Sequence, residues 1–274
     1  MADPVRYRAA VLGSPIAHSL SPALHEAGYA AAGLSEWDYG RREVGADQLA
    51  GVVHELDDTW RGLSLTMPLK EAAFDVAVSV SEVASAARAI NTLVRRSDGG
   101  WDGDNTDVHG IVESLRGAEH TRRALVLGAG ATARSAVVAL RELGTTDLTV
   151  AARRPEAAAA LVDFAADHGI RADIVSLAHW SSTGAPVIVS TLPGAAGKAL
   201  AQVAEPADWS GTMLFDVSYA PWPSALAAVV RRGGGTTVSG LEMLIHQAAR
   251  QFEIFTGVRP DIGAMRAAVL PSDG

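Results

Sequence analysis

A lysine, an aspartate and a group of neutral hydrogen-bonding side chains carry the reactive chemistry of this chain. Ser64-Leu65-Thr66-Met67-Pro68-Leu69-Lys70 places hydroxyls and an ammonium together in a Pro-punctuated loop. Gly103-Asp104-Asn105-Thr106-Asp107 reads as a short polar loop opening onto a helix. Hydride delivered to a carbonyl carbon leaves negative charge on oxygen, which a nearby cation or proton donor stabilises. Lys70 can do that work, while Asp107 can orient it and bond a substrate hydroxyl. In the reverse direction the lysine must accept a proton. Lysine side chains ordinarily titrate near about 10.4 and a neighbouring carboxylate raises that value, so a lowered value or a relay is needed and the proton route stays open. Taken singly, Lys70 also reads as a surface lysine and Asp107 as a first-turn acid favoured by the helix dipole.

The second chemical feature is a glycine turn. Gly128-Ala129-Gly130-Ala131-Thr132-Ala133 follows the apolar run Leu125-Val126-Leu127 and precedes a helical pattern from Arg134 to Leu143. In such a G-x-G-x-x-A loop the first glycine allows the tight turn and the second lets backbone approach a pyrophosphate. Ala133 takes the third, packing position. Cofactor choice is read at the end of the next strand, where an acidic residue binds the ribose 2′-hydroxyl of NAD. Here the chain has Arg153 and Arg154, two guanidiniums that suit a 2′-phosphate, so NADP is expected. A Lys/Asp pair with a dinucleotide loop points to an oxidoreductase acting on a small polar carbonyl compound.

These groups need a frame, and apolar runs alternating with helical patterns supply an α/β one. Strands are expected at Tyr7–Leu12, Trp37–Arg42 and Gly62–Leu65, with a helix over Pro22–Ala32 and a hairpin from Ile90–Arg95 through Trp101. Further strands near Ala124–Leu127, Leu148–Ala152, Ala172–Val175, Val187–Ser190, Leu214–Val217 and Thr236–Val238 have the rhythm of a parallel, doubly wound sheet. Val108, Ile111, Val112 and Leu115 fall at helical spacing, and the run Ala157–Ala160 is helix-forming. Helices over Leu241–Phe255 and Asp261–Leu270 close the chain. Two domains are expected, residues 1–106 with 241–274 and residues 107–240, with Gly103 and Gly240 as hinge positions.

Composition excludes several classes. The 274 residues can bury a sizeable core, and 48% hydrophobic content is that of a folded chain. A net charge of -8, with no basic run longer than a pair, argues against nucleic acid. The lack of cysteine excludes disulfides and thiolate catalysis and fits a reducing compartment. Met1 to Ala10 has no apolar leader core and no run approaches membrane-spanning length, so a cytoplasmic protein without a membrane partner is expected. His18, His25 and His246 lack ligand partners at suitable spacing, and no metal is implied.

The chain resembles the shikimate dehydrogenase family over essentially its whole length. The resemblance rests on Gly13-Ser14-Pro15-Ile16-Ala17-His18-Ser19-Leu20-Ser21-Pro22, Leu65-Thr66-Met67-Pro68-Leu69-Lys70, Ala89-Ile90-Asn91-Thr92-Leu93 and Gly103–Asp107, in that order. It continues through the glycine loop ending at Arg134, Asp216-Val217-Ser218-Tyr219-Ala220-Pro221 and Gly240-Leu241-Glu242-Met243-Leu244-Ile245-His246-Gln247-Ala248. It implies NADPH-dependent reduction of 3-dehydroshikimate to shikimate in aromatic amino acid synthesis. It also implies an N-terminal α/β substrate domain, a Rossmann-type NADP domain, C-terminal helices returning to the first domain, and a substrate cleft between the two. Oligomeric state stays open between monomer and homodimer.

Within that resemblance Ser19 and Ser21, before Pro22 at a helix start, offer hydroxyls to the substrate carboxylate, or act only as loop and cap. Thr66, Asn91, Asp107, Tyr219 and Gln247 complete the hydroxyl contacts, and Thr191, Val217 and Gly240 join the glycine loop and the two arginines around the cofactor. Met243, Gln247 and Gln251 form a stripe along the margin of an apolar helical arc, which lines a cleft or is an ordinary polar face. Ser64 and Ala152 stand where the family commonly has Asn, and Ala131 where it has a further Gly. The Ala152 change bears on how the adenine ribose is held. The rival readings are a quinate/shikimate dehydrogenase using NAD, a paralogue acting on an amino analogue, and a non-catalytic dinucleotide-binding sensor.

Overall fold

The computed structural model describes residues 6–204 and 208–270, so the first five residues of the segment read for a leader lie outside it. The chain falls into two compact units, Met1–His109 with Leu244–Gly274, and Gly110–Met243. Among the described residues no helix is long and apolar enough to cross a membrane.

In the first unit the order is β1 (Tyr7–Gly13), α1 (Ser21–Ala32), β2 (Trp37–Glu43), α2 (Leu49–His54), β3 (Trp60–Leu65), α3 (Leu69–Ala72), β4 (Ser79–Val80), α4 (Glu82–Ala87), β5 (Thr92–Arg95) and β6 (Trp101–Asp104). The strands make one mixed sheet in the order β2-β1-β3-β5-β6-β4. β1 runs parallel to β2 and β3, whereas β5 is antiparallel to β3 and β6. Side chains alternate across β1, so each face has its own core. Ala10 and Leu12 pack with Leu63, Leu65, Leu69, Ile90 and Leu93, while Ala9 and Val11 pack with Tyr29, Tyr39, Phe252 and Phe255. A Cβ at Gly62 would lie 2.2 Å from the Phe255 ring, so only glycine lets that ring reach the sheet. α1 starts with Pro22 in its first turn and ends on Gly33 at φ 69°, the usual asymmetry of start and stop residues.

α5 (Thr106–Ser114) carries the chain from the first unit into the second. There follow β7 (Arg123–Leu127), α6 (Ala131–Glu142), β8 (Asp147–Ala151), α7 (Pro155–Asp167), β9 (Arg171–Ile174), β10 (Val187–Ser190), α8 (Gly194–Gln202), β11 (Met213–Asp216), α9 (Ala225–Arg232) and β12 (Thr236–Ser239). All the pairings are parallel and the order is β12-β11-β10-β7-β8-β9, the doubly wound arrangement that reverses direction between β7 and β10. Every residue of β10 is buried, as a central parallel strand requires. α10 (Gly240–Thr256) leads back to the first unit, and α11 (Ile262–Ala267) begins where the Asp261 carboxylate accepts the Ala264 N–H at 3.0 Å.

The expected strands are all present with ends shifted by a residue or two, and the two closing helices form, the last only over Ile262–Ala267. The differences are short elements. α2, α4 and β4 were not anticipated, and α3 interrupts the stretch read as a loop up to Lys70. A helix of one turn shows no period, and α4 is fixed instead by its cap, Ser81 Oγ accepting the Ala84 N–H at 3.1 Å. Gly103, expected in a turn, is part of a strand instead. It sits inside β6, where a Cβ would lie 2.7 Å from Ile90 Cδ1, so glycine serves packing there.

Candidate active site

The first sheet changes direction between β1 and β3: the chain leaves β1 to form β2 on one side and returns to form β3 on the other. Open α/β sheets bind ligands at the carboxyl ends of strands at such a point. The loops leaving β1 and β3 meet here, with Thr66 N–H donating to the Leu12 carbonyl and Ser14 N–H to the Met67 carbonyl, both at 2.9 Å. Lys70 follows in α3, anchored through its carbonyl, which accepts the Ile90 N–H at 2.8 Å. Its ammonium forms an ion pair with Asp107 Oδ2, the two side chains being 13% and 6% exposed. Asp107 Oδ1 accepts from Asn91 Nδ2 at 2.8 Å.

The polar loop before α5 divides its labour residue by residue. Asp104 accepts from Ser81 Oγ at 2.5 Å. Asn105 caps α5, accepting the Val108 N–H at 3.2 Å, and donates to the Ala89 carbonyl at 2.8 Å. The Thr106 N–H donates to Asn91 Oδ1 at 2.8 Å. Asp107 is thus held in the first turn of α5, where the dipole favours its charge, and faces Lys70.

Behind these groups lies a buried hydrogen-bonded series that sequence reading missed. Tyr39 OH donates to Ser64 Oγ at 2.6 Å, and Ser64 donates to Gln251 Oε1 at 2.7 Å. Gln251 Nε2 donates to Thr92 Oγ1 at 2.9 Å and to the Asn91 carbonyl at 3.2 Å, and Thr92 Oγ1 donates to Asn91 Oδ1 at 2.7 Å. The available signals were Thr92 beside Asn91 and Gln251 one turn beyond Gln247. The stripe of Met243, Gln247 and Gln251 proves buried throughout, which removes the ordinary polar face as a reading. At the far end His25 is fully buried and stacks on Tyr39 with ring centres 3.9 Å apart. Burial lowers its ring to about 3, with the nearby Gln251 side chain acting weakly the other way, although neither ring nitrogen makes a protein hydrogen bond among the described residues.

The other expected substrate residues are distributed as follows. Ser21 opens α1 and is buried, while Ser19 Oγ accepts the Ser21 N–H at 3.3 Å, so Ser19 rather than Ser21 supports the first turn. Thr66 is half-buried between β3 and α3. Gln247 is buried on α10 and donates to the Leu244 carbonyl at 2.9 Å. Tyr219 belongs to the second unit, in a loop held by Asp216, whose carboxylate accepts the Ser218 N–H at 3.1 Å and Ser224 Oγ at 2.6 Å. Burial raises the Tyr219 phenol above its ordinary value, so it is neutral and able to donate.

In the second unit the glycine loop sits at the switch point between β7 and β10. Gly128 adopts φ 109°, and a Cβ there would stand 2.4 Å from Thr191 Oγ1, which itself donates to the Leu127 carbonyl at 3.0 Å. Nothing lies within 4 Å of a Cβ built on Gly130, which leaves open space above the start of α6. No side chain caps this helix, so its first-turn N–H groups are available to an anion. Ala133 is fully buried, and Ala129, Ala131 and Thr132 are half-buried along the loop. Arg153 and Arg154 follow β8, both exposed and with no side-chain partner among the described residues. Val217 N–H donates to the Ser190 carbonyl at 3.0 Å, and a Cβ at Gly240 would lie 2.0 Å from the Val217 carbonyl oxygen, so this close approach admits only glycine. The free helix start, the open Gly130 face and the two unpaired guanidiniums fit a phosphorylated dinucleotide.

Comparison with known proteins shows the family. The shikimate dehydrogenase substrate binding domain matches residues 11–93, and the shikimate 5'-dehydrogenase C-terminal domain matches residues 240–270. A shikimate dehydrogenase (NADP(+)) from Synechococcus sp. (strain JA-3-3Ab) is 35% identical, the match covering 90% of this chain and 87% of the relative. Shikimate dehydrogenase from Mycobacterium tuberculosis superimposes with a TM-score of 0.86 at 45% identity, covering 96% of this chain and 98% of that one. Shikimate 5-dehydrogenase from Thermus thermophilus, in complex with NADP(H) and shikimate, superimposes with a TM-score of 0.80 at 33% identity, covering 96% of this chain and 98% of that one. With a relative 35% identical matched over 90% of its length, the chain belongs to the shikimate dehydrogenase family.

Proposed function

We propose that this protein catalyses the reversible NADP-dependent reduction of 3-dehydroshikimate to shikimate, the step that serves aromatic amino acid synthesis. The observation that carries this reading is the Lys70–Asp107 ion pair, nearly buried and braced by Asn91, at the carboxyl ends of β1 and β3. The first unit is assigned to substrate and the second to cofactor, with action in the cytoplasm as a monomer or homodimer on a small-molecule substrate.

The cofactor supplies the hydride. Lys70 directs its ammonium at the oxygen that gains negative charge, and the low exposure of the pair strengthens that interaction. Asp107 holds Lys70 through Oδ2 and keeps Oδ1 on the Asn91 amide, which fixes the direction of the ammonium. Ser19 and Ser21 are assigned to the substrate carboxylate at the α1 start. Thr66, Asn91, Tyr219 and Gln247 are assigned to its hydroxyls, which neutral side chains bond without the cost of a buried charge. Arg153 and Arg154 are assigned to the 2′-phosphate, and the loop Gly128–Ala133, with Thr191, Val217 and Gly240 around it, to the rest of the dinucleotide.

The test is initial-rate oxidation of shikimate and of quinate, each with NADP and with NAD, followed by absorbance of the reduced nicotinamide. Turnover confined to shikimate with NADP supports the reading. Comparable rates with quinate or NAD move the enzyme to the broader quinate/shikimate class, and no turnover in any pairing rejects it.

A further inference from the structure

We propose that Gln251 is a positioning residue for the reaction, acting through Thr92 and Asn91 on Asp107. The inference rests on the proposed dehydrogenase reading. Gln251 is 1% exposed on α10, and its amide is fully used. It spans the antiparallel β3–β5 pair at the one place where two hydroxyl residues, Ser64 and Thr92, stand opposite each other in register. Opposed residues of an antiparallel pair point to the same face, so a single amide can grip both.

The direction of each bond follows from groups that have no choice. The Asn91 carbonyl can only accept, so the Gln251 nitrogen must face it, and Gln251 Oε1 must then take the Ser64 proton. With its oxygen accepting from Gln251, Thr92 turns its own proton to Asn91 Oδ1. The Thr106 N–H can only donate, and it meets the same Oδ1. Both constraints leave Asn91 Nδ2 facing Asp107 Oδ1. Removing Gln251 frees the Thr92 hydroxyl to swing toward Thr106 Oγ1, 3.4 Å away, and takes the shortest of the three donors, Thr92 Oγ1 beside the N–H and hydroxyl of Thr106, from Asn91 Oδ1. Asn91 then holds both the substrate hydroxyl and Asp107 less firmly. The effect reaches the reacting atoms although Gln251 does not touch them.

The experiment compares steady-state kinetics of wild type, Gln251→Leu, Asn91→Ala and the double variant with shikimate and NADP. Gln251→Leu is expected to raise KM for shikimate about tenfold and lower kcat severalfold, with KM for NADP within about twofold of wild type. Because Gln251 acts through Asn91, the double variant is expected to be no worse than Asn91→Ala. A loss of active enzyme with unchanged KM for shikimate would mean a structural role only, and losses that multiply in the double variant would equally overturn the proposal. Should Gln251→Leu not fold, Thr92→Val reads the same relay. It is expected to show the same rise in KM, with Thr92→Ser restoring wild-type values, and equal behaviour of the two would overturn the inference. Wild type without turnover would reject the dehydrogenase reading itself, which separates the two failures.

Discussion

Lys70 and Asp107, 37 residues apart in the chain, are ion-paired through a single carboxylate oxygen, Asp107 Oδ2, while the other oxygen belongs to Asn91. The carboxylate is therefore divided between holding the lysine and being held itself. A bidentate grip would fix the ammonium on the acid, whereas this arrangement leaves the lysine's remaining N–H groups to a ligand.

Replacing Lys70 removes the only ammonium of this constellation without emptying its core, since the side chain sits at the edge of the site. Lys70→Met is expected to lower kcat for shikimate oxidation about a thousandfold, within the range of one acid–base group, with an unchanged circular dichroism spectrum. Near-normal turnover in a folded variant would remove Lys70 from the chemistry.

Arg153 and Arg154 lie exposed after β8 with no side-chain partner among the described residues, so neither guanidinium is engaged there in holding the fold. Changing both to Ser is expected to weaken NADP binding by about a hundredfold, the scale of two charge-assisted contacts, while NAD binding changes little. Cofactor titration by nicotinamide fluorescence reads both values. An equal loss for NADP and NAD would place the arginines away from the 2′-phosphate.

The parts of this fold legible in the sequence are those with a long period or a fixed backbone demand. The central parallel strands β7, β10 and β11 stand out because they are largely buried and mostly apolar, and Gly128 because its φ of 109° suits no other residue type so well. Lys70 and Asp107 were expected together from their chemistry and Asn91 from the resemblance to a family, and the structure bonds the three to one another. Gln251 and Ser64 were not. Their roles arise from contact between residues 187 apart, and one polar residue on an apolar helix carries no local mark of such a partner. One-turn helices such as α3 were missed for the related reason that tertiary packing, not period, holds them.

Two glycines of the nucleotide loop make opposite demands. At Gly128 an added methyl meets Thr191 Oγ1 and forces a left-handed backbone on a residue with a Cβ, so Gly128→Ala is expected to destabilise the protein by about 1–3 kcal/mol. At Gly130 the methyl meets nothing within 4 Å, so Gly130→Ala is expected to leave the thermal midpoint nearly unchanged. It should nevertheless weaken NADP binding about tenfold or more, because the methyl fills the space the pyrophosphate needs. Thermal melts and cofactor titrations on both variants read the contrast, and intact cofactor affinity in Gly130→Ala would refute the assigned position of the phosphates.

His25 sets a pH dependence of stability. Burial among Tyr29, Tyr39, Phe252 and Phe255 lowers its folded value to about 3, against 6.5 for an ordinary histidine. Burial also raises both tyrosine phenols above their ordinary values, so neither titrates in the acid range. Between about pH 6.5 and pH 3 the unfolded chain binds a proton at His25 that the folded chain does not, so stability rises with pH through this window and falls as pH drops. The slope from this residue approaches about 1.4 kcal/mol per pH unit. Carboxylates titrate over the same range, so the reading is the difference from His25→Phe, which keeps an aromatic ring against Tyr39 and has nothing to protonate. Wild type is expected to lose stability more steeply than His25→Phe between pH 6 and pH 4, with urea midpoints converging above pH 7. Parallel pH profiles for the two proteins would show that His25 takes up its proton equally in the folded and unfolded chains.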